Sequence, residues 1–301
     1  MAKEAKNEFV IDNEPYDLGK DIDGKHHDVR EIHPILLELI LELDRICRKH
    51  DIPYALAFGS AIGIHNYGGF IPWDDDMDIA IDYFDIDRLI KAFKEDLGDK
   101  FSFDCYEDNK RYNVMIPTFK LRYKNSYIKE KFWFTLPNRA RNGDGIFIDI
   151  VAFMGVPKEK EEHVKLLKYT KKRMGWYSFV DSFLRIHPYK LKKKIKDFER
   201  KVAEEYKDSP NVSQTVIIPF QDWAEKKEYI SYPREIIYPF KEYDFEGHKL
   251  YSFQNVEEFC RLAYGEKCLR KLIDGKWVDP LPLEKRKAKH NAGYSLTRSK
   301  K

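Results

Sequence analysis

Residues 69–82 read GFIPWDDDMDIAID, and the local fold follows from this stretch. Two sets of side chains interleave in it: Asp74, Asp76 and Asp78 in one, Met77, Ile79 and Ile81 in the other. A period of two predicts a β-strand with one apolar face and one acidic face. Two carboxylates about 4 Å apart repel by roughly 1 kcal/mol in water and roughly 4 kcal/mol near a protein surface, so the acidic face needs a positive partner.

A divalent cation is the partner that this acidic face predicts. Mg²⁺ and Mn²⁺ take oxygen ligands and hold one or two carboxylates together with substrate phosphates. We therefore expect Asp76 and Asp78 to bind metal, and Asp74 to orient a ligand or act as a base. The alternatives are an acidic loop that is merely solvated and a turn stabilised by calcium.

The elements on either side of the acidic strand predict an α/β fold, with a mixed sheet flanked by helices. Apolar residues at helical spacing behind Pro34 predict a helix that ends near His50. A strand over 54–58, a helix capped by Ser60 and running to about 67, and a helix over 86–97 follow. The remaining predicted strands cover 101–106, 114–123, 127–134 and 146–151.

The second half of the chain is richer in helical patterns. Lysine-rich helices are predicted over 159–176 and 189–206, and a last helix is predicted behind Asn255, with Glu258 completing a capping pair. We therefore divide the chain into four parts: an irregular segment over 1–30, a catalytic core over 31–157, a helical and mixed part packed on the core over 158–283, and a basic tail over 284–301.

Composition excludes several classes of protein. The 301 residues carry a net charge of only +3, with both signs interspersed, which does not indicate a nucleic-acid-binding protein. The sequence shows neither a secretory h-region nor an apolar run long enough to span a bilayer, so we expect a cytoplasmic protein. Four cysteines without a C-x-x-C pair argue against zinc ribbons and redox motifs.

A glycine and a serine between the strand over 54–58 and the next helix form a candidate phosphate site. Gly59 permits close approach of a ligand to the backbone, and the helix beginning beside Ser60 favours an anion. The alternative is that Ser60 is an ordinary helix cap.

A single acid interrupts the apolar strand GIFIDIV at residues 145–151. Asp149 is costly to ionise in a buried strand unless a partner neutralises it. If its strand lies beside the acidic strand, Asp149 becomes a third metal ligand; otherwise it is a structural, hydrogen-bonded acid.

Three cations are candidates for binding the phosphates of a donor. Lys120 and Arg122 alternate outward around Leu121 on a predicted strand, and His290 lies near the C-terminus. The alternative for Lys120 and Arg122 is that they are solvated residues on an exposed sheet face.

The order of these motifs resembles the nucleotidyltransferase superfamily, and a narrower family within it. Residues 53–81, PYALAFGSAIGIHNYGGFIPWDDDMDIAI, with GIFIDIVAFMGVP and FCRLAYGEKCLRKL further on, are similar to the LicD family of phosphocholine transferases, whose animal relatives include the fukutin-type proteins. The resemblance covers about residues 32–290 and implies a nucleotidyltransferase-like core.

The resemblance also implies an activity. A LicD-type enzyme transfers phosphocholine, or a related phospho-alcohol, from a CDP-activated donor such as CDP-choline to a hydroxyl of a cell-surface glycan, such as a teichoic acid or lipopolysaccharide, or its lipid-linked precursor. CMP is released. On this interpretation two metals, Mg²⁺ or Mn²⁺, are held by Asp76, Asp78 and Asp149 and assist an in-line displacement.

Two further features bear on the substrate and on location. Tyr127, Trp133 and Phe134 could cage a quaternary ammonium; the alternative, which we favour for any single ring, is core packing. The lysine-rich helices suggest peripheral contact with the inner face of an anionic membrane; the alternative is a solvated helix face.

Two rival functions remain open. One is a nucleotidyltransferase that moves a nucleotidyl group onto a small alcohol or sugar, which would release pyrophosphate from a nucleoside triphosphate. The other is a catalytically inactive binding module on the same fold, against which the retention of three acids at metal-binding spacing argues.

Overall fold

A mixed sheet organises the protein, and helices flank it. The computed structural model describes residues 16–105, 108, 119–130, 145–183, 188–214, 231–279, 288 and 291–297. The helices are α1 (His33–Lys49), α2 (Phe58–Tyr67), α3 (Ile86–Asp96), α4 (Lys160–Phe183), α5 (Tyr189–Glu205), α6 (Arg234–Ile237) and α7 (Val256–Tyr264).

The strands of the main sheet come from both halves of the chain. They are β3 (Tyr54–Ala57), β4 (Asp78–Asp82), β5 (Phe101–Cys105), β6 (Phe119–Tyr123), β8 (Phe147–Gly155), β9 (Asn211–Gln214), β10 (Tyr232–Pro233), β11 (Lys241–Phe245) and β12 (His248–Ser252). Three two-stranded sheets contain β1 (Asp17–Lys20), β2 (His26–Asp28), β7 (Tyr127–Glu130), β13 (Lys271–Ile273), β14 (Lys276–Val278) and β15 (Asn291–Ser295).

The main sheet runs in the order β10-β9-β8-β4-β3-β12-β11. The long strand β8 pairs with β4 along one edge, and along the other it pairs first with β6 and then with β9. The β4–β8 and β12–β3 pairs are parallel, whereas the other pairs are antiparallel. The expected α/β class with a mixed sheet is therefore confirmed.

The first helix follows its sequence signals closely. Pro34 lies in the first turn of α1, where its missing N–H costs no hydrogen bond. The apolar stripe of this helix is fully buried: Leu36, Leu39, Ile40, Leu43, Ile46 and Cys47. The helix predicted behind Asn255 is also confirmed, because the Asn255 side chain accepts a hydrogen bond from the backbone N–H of Glu258 at 3.1 Å.

The second half is less purely helical than its lysine-rich patterns suggested. The strands β9 and β12 pair with β8 and β3, so residues far along the chain complete the sheet of the first half. Helix α4 also continues beyond residue 176, where the sequence interpretation ended it, to Phe183.

Two segments for which no strand was predicted contain strands. Residues 17–20 and 26–28 pair as β1 and β2, because Leu18 is buried in the core. Residues 291–295 of the basic tail form β15, which pairs with β7 and buries Tyr294 completely. In both segments the burial of one large side chain, Leu18 or Tyr294, stabilises a strand although the surrounding residues are polar.

The helices in the described part of the chain fall short of what crossing a bilayer requires. None of them combines the necessary length with sufficient apolar content.

Candidate active site

The acidic stretch lies where β4 begins, next to the centre of the main sheet. Its burial alternates: Asp75 and Met77 are buried, whereas Asp74, Asp76 and Asp78 are partly exposed. The three acids of the predicted acidic face are therefore the ones that remain open to solvent. This alternation starts several residues before β4 itself, which begins at Asp78.

Asp149 lies directly beside Asp78. In the parallel β4–β8 pair these two residues are register partners, and the Asp149 backbone N–H donates to the Met77 carbonyl at 2.9 Å. Register partners on neighbouring strands point to the same face of a sheet and lie about 5 Å apart. The fold thus brings together two acids that are 71 positions apart in the chain.

A buried cation lies against Asp149. Lys120 is the antiparallel register partner of Asp149 on β6, and its Nζ donates to Asp149 Oδ1 at 2.7 Å. The same ammonium lies 3.3 Å from the centroid of the Phe147 ring. Although Lys120 is only 2% exposed, it is thus held by a carboxylate and a ring face.

The expectation that Lys120 and Arg122 point outward is wrong. Arg122 is 3% exposed, and its Nε donates to Asp104 at 2.8 Å. Strand β6 is paired on both sides, by β5 and β8, and acids on those two strands neutralise its buried cations. A role for either residue in binding a donor stays a prediction.

The Gly-Ser motif forms the first turn of α2, not a separate turn before it. The helix begins at Phe58, and its N-cap, Ala57, provides no side-chain cap. Ser60 therefore does not cap the helix as expected; its Oγ accepts a hydrogen bond from the backbone N–H of Asp78 at 3.0 Å. This contact ties the start of α2 to the start of the acidic strand.

Gly59 lies against the first acid of the stretch. A Cβ atom added at Gly59 would lie 3.0 Å from Asp74 Oδ2. The backbone of the first turn of α2 and the Asp74 carboxylate are therefore in close approach, and a side chain at this position would displace the carboxylate. Glycine was predicted at this position to let a ligand approach; in the structure its missing side chain makes room for the Asp74 carboxylate.

Aromatic packing holds the loop that leads into the acids. The indole of Trp73 packs against the rings of Tyr16 and Tyr67, at centroid distances of 5.5 and 5.9 Å. The Glu246 carboxylate accepts from the backbone N–H of Phe70 at 2.9 Å. Glu246 lies 176 positions further along the chain, and the sequence offered no signal for its contact.

His33 is a supporting residue that sequence reasoning missed. Its ring stacks on Phe70 at 4.3 Å, and its Nε2–H donates to the backbone carbonyl of Asp74 at 2.9 Å. Burial lowers the pKa of His33 to about 4. The imidazole is therefore neutral at physiological pH and acts as a fixed hydrogen-bond donor behind the acidic stretch.

Tyr264, at the end of α7, is a second residue that sequence reasoning missed. Burial raises the pKa of its phenol well above the ordinary value, and the negative charges of Asp78 and Asp74 raise it further. The phenol thus stays protonated, and the resulting neutral donor lies within the electrostatic reach of the acids. It belongs to the AYG sequence that carries part of the resemblance.

The acids suit a hard cation in part. Asp76 and Asp78 offer partly exposed carboxylates, the donor type that Mg²⁺ and Mn²⁺ prefer alongside phosphate oxygens. Within the described residues, however, no three His, Cys, Asp or Glu side chains form a ready-made metal site. Asp149, the third expected metal ligand, accepts a hydrogen bond from Lys120 at its Oδ1.

Of the remaining predicted residues, only Tyr127 lies within the described part of the chain. Tyr127 lies on β7, which pairs with β15 in a sheet separate from the one that carries the acids. Trp133, Phe134 and His290 fall outside the described residues. The structure therefore does not test the proposed choline cage or the C-terminal histidine.

Comparisons with known proteins agree with the resemblance drawn from the motifs. Residues 51–173 match the family described as LicD/FKTN/FKRP, nucleotidyltransferase domain. The chain is 25% identical over 142 residues to the lipopolysaccharide cholinephosphotransferase LicD of Haemophilus influenzae (strain ATCC 51907 / DSM 11121 / KW20 / Rd). That alignment spans 46% of this chain and 49% of the relative, so about half of each protein is covered.

Proposed function

Because residues 51–173 belong to the LicD/FKTN/FKRP nucleotidyltransferase family, we propose that this protein transfers phosphocholine, or a related phospho-alcohol, from a CDP-activated donor to a hydroxyl group. The acceptor would be a cell-surface glycan or its precursor, and CMP would be released. The relative from Haemophilus influenzae, whose name describes a lipopolysaccharide cholinephosphotransferase, supports this substrate class.

The observation that carries the proposal is the position of Asp78. It lies beside Asp149 across the β4–β8 pair, and its backbone N–H is bonded to Ser60 in the first turn of α2. An acidic face and a helix N-terminus without a side-chain cap therefore meet at one point. The helix start favours the anionic diphosphate, and the acids favour its counter-ion.

The proposal includes a divalent cation held by Asp76 and Asp78. Such an ion would neutralise the diphosphate and the charge that develops on the leaving CMP. Asp149, whose Oδ1 accepts from Lys120, would join these ligands through its other carboxylate oxygen. The pairing with Lys120 also fixes the Asp149 carboxylate beside Asp78, at the edge of the acidic face.

The chain's own groups would perform the remaining tasks. The N–H groups in the first turn of α2 would donate to phosphate oxygens, and Gly59 in that turn leaves room for the Asp74 carboxylate. Asp74, anchored through its carbonyl by His33, is the candidate to accept the proton of the acceptor hydroxyl. Tyr127, Trp133 and Phe134 remain the predicted cage for the choline head group.

Product analysis tests this proposal. The purified protein is incubated with Mg²⁺ or Mn²⁺, CDP-choline labelled in the choline, and a choline-free glycan acceptor. We expect metal-dependent release of CMP in equal amount to the label transferred. We expect Asp76→Ala and Asp78→Ala to abolish transfer while remaining folded, and Asp99→Ala, an exposed acid beyond α3, to retain it.

Other products would overturn the proposal. Release of pyrophosphate from a nucleoside triphosphate, with a nucleotidyl group on the acceptor, would identify the rival nucleotidyltransferase. Full transfer activity in Asp76→Ala or Asp78→Ala would contradict the site assignment. Tight binding of Mn²⁺ and CDP-choline without turnover of any CDP-alcohol would identify a binding module.

A further inference from the structure

Helix α4 has two clearly separated faces. One face is buried in the protein and contains His163, Leu167, Thr170, Met174 and Tyr177. The opposite face is exposed and contains Lys165, Lys168, Lys172, Trp176 and Phe179. Both sets follow the three- and four-residue spacing of an α-helix.

The exposed face changes character along the helix axis. It begins with lysines and ends with two large rings, Trp176 and Phe179, which are 58% and 44% exposed. The two rings stack on each other at a centroid distance of 5.6 Å. Since large rings are usually buried in proteins that act alone in water, an exposed pair of this size indicates an interaction surface.

Helix α5 packs against α4, and its first residues are exposed as well. The ring of Phe198 on α5 packs on Tyr169 of α4 at 4.3 Å, and five residues separate the end of one helix from the start of the next. Tyr189, Lys190 and Lys194 at the start of α5 are exposed. The C-terminal end of α4 and the N-terminal end of α5 therefore present rings and lysines together.

This surface, which we call the basic aromatic patch, is strongly positive for a protein of net charge +3. Its members are Lys165, Lys168, Lys172, Trp176, Phe179, Tyr189, Lys190 and Lys194. The sequence contains no Asp or Glu between residues 163 and 180, nor between 188 and 196. A partner of this patch must therefore be anionic and must also accept aromatic rings.

We propose that the basic aromatic patch docks this protein peripherally on a bilayer that contains anionic lipid. Tryptophan and other rings are enriched at the headgroup level of membranes, where one part of the ring is apolar and another wet. Lysines close to an anionic membrane surface each contribute to attraction until salt screens them. This inference does not depend on the proposed transferase activity.

The geometry favours a bilayer over a single-stranded nucleic acid. Proteins that bind single strands stack successive bases on separate ring faces along a positive groove. Here Trp176 and Phe179 stack on each other, at an interplanar angle of 23°, and they lie on the outer side of a helix. Rings arranged in this way suit insertion into an interface better than interleaving with bases.

Vesicle co-sedimentation tests the proposal with the full-length protein. We expect the protein to sediment with vesicles of equal parts phosphatidylcholine and phosphatidylglycerol at low salt. We expect weak sedimentation with pure phosphatidylcholine, and loss of binding as salt rises. Brominated lipid should also quench part of the tryptophan fluorescence, and Trp176→Phe should remove that part.

Matched variants separate the rings from the charges. The double variant Trp176→Ser/Phe179→Ser should weaken binding by about tenfold or more, because two rings no longer enter the interface. The double variant Lys168→Gln/Lys172→Gln should weaken it by about thirtyfold at low salt, because two charges are lost. Controls on β13 and next to it are Leu272→Ser/Ile273→Ser, an equally exposed apolar pair, and Lys267→Gln/Lys271→Gln. Circular dichroism should show that all four variants are folded.

Three results would overturn the proposal. The first is absence of binding to anionic vesicles at low salt. The second is equal loss of binding in the control variants and in the patch variants. The third is binding of a single-stranded oligonucleotide that the ring variants abolish while vesicle binding remains unchanged, which would assign the patch to nucleic acid.

Discussion

Lys120 illustrates how a charged side chain can be buried at low cost when its neighbours are suitable. Its ammonium contacts Asp149 at 2.7 Å and the ring of Phe147 at 3.3 Å. Burial of a lone charge would cost several kcal/mol, and the two contacts offset much of that cost. The pair fixes both side chains at the edge of the acidic face.

Removal of this cation should affect stability and function differently. We expect Lys120→Met to destabilise the protein by about 2 kcal/mol, because Asp149 loses a charged hydrogen-bond partner. We also expect loss of transfer activity, because Asp149 loses the contact that fixes its carboxylate beside Asp78. Urea unfolding and CMP release measure the two effects.

A second variant distinguishes the two roles of Lys120. Lys120→Met combined with Asp149→Asn removes the unpaired charge, so stability should recover in part, while transfer activity should not recover. If activity returned together with stability, Lys120 would act only as a structural partner of Asp149.

His33 makes the stability of the site depend on pH. In the unfolded chain its pKa is 6.5, whereas burial lowers it to about 4 in the folded protein. The unfolded state therefore binds a proton more readily over this window. Stability from His33 is fully present above pH 6.5 and falls as the pH drops towards 4. We expect His33→Gln, which can keep the bond to Asp74 without titrating, to reduce this loss by up to about 3 kcal/mol.

The pH effect of His33 can be measured as a difference. Unfolding free energies of wild type and His33→Gln are determined by urea titration from just above neutral pH down to about pH 4. Their difference should change between pH 6.5 and about 4 and stay level above that window. Parallel curves over the whole range would show that His33 does not titrate in this window.

At the scale of elements, two helices contain interior glycines for opposite reasons. Gly63 in α2 is forced by packing, since a Cβ there would lie 2.3 Å from the backbone oxygen of Gly69. Gly175 in α4 is not forced, since a Cβ there would have no atom within 4 Å. The first glycine lets α2 approach the loop that leads to the acids.

The same substitution at the two glycines should therefore have opposite signs. We expect Gly63→Ala to destabilise the protein by about 2 kcal/mol, because the clash is with backbone and the loop must shift. We expect Gly175→Ala to stabilise it by about 0.5–1 kcal/mol, because alanine loses less backbone entropy on folding. Denaturant midpoints of the two variants test this pair, and a change of equal sign in both would contradict it.

Across the molecule as a whole, late segments of the chain hold the site in place. The buried amide of Asn66 in α2 donates to the carbonyl of Cys268 at 2.8 Å and accepts from the N–H of Arg270 at 3.0 Å. Tyr67 donates to Asp279, and the same acid pairs with Arg270. The end of α2, just before the acidic loop, is thus held in place by residues about 200 positions later in the chain.

The C-terminal strand is expected to matter for stability. Tyr294 is fully buried, and its hydroxyl donates to the Gly19 carbonyl at 3.1 Å, which links β15 to β1. Truncation of a large buried ring leaves a cavity, so Tyr294→Ala should cost about 3 kcal/mol. Thr297→Ala, at an exposed position, should leave the melting temperature unchanged. A wild-type melting temperature in Tyr294→Ala would show that this segment is dispensable.

Local patterns in the chain were sufficient to predict many of the elements and the kind of chemistry. Helical spacing in α1 and the alternation of Asp74, Asp76 and Asp78 reflect a buried and an exposed face, and local periodicity encodes these faces directly. The motifs also identified the family that residues 51–173 match.

Which distant groups meet could be learned only from the folded chain. That Asp149 lies beside Asp78 depends on strand pairing, and that Lys120 is paired with Asp149 and Phe147 depends on the register between β6 and β8. The roles of Ser60 and His33 likewise depend on bonds to Asp78 and Asp74, which are made across the fold. Periodicity reports which side chains share a face, but whether that face is covered, and by which neighbours, is fixed by packing between segments that are remote in the chain.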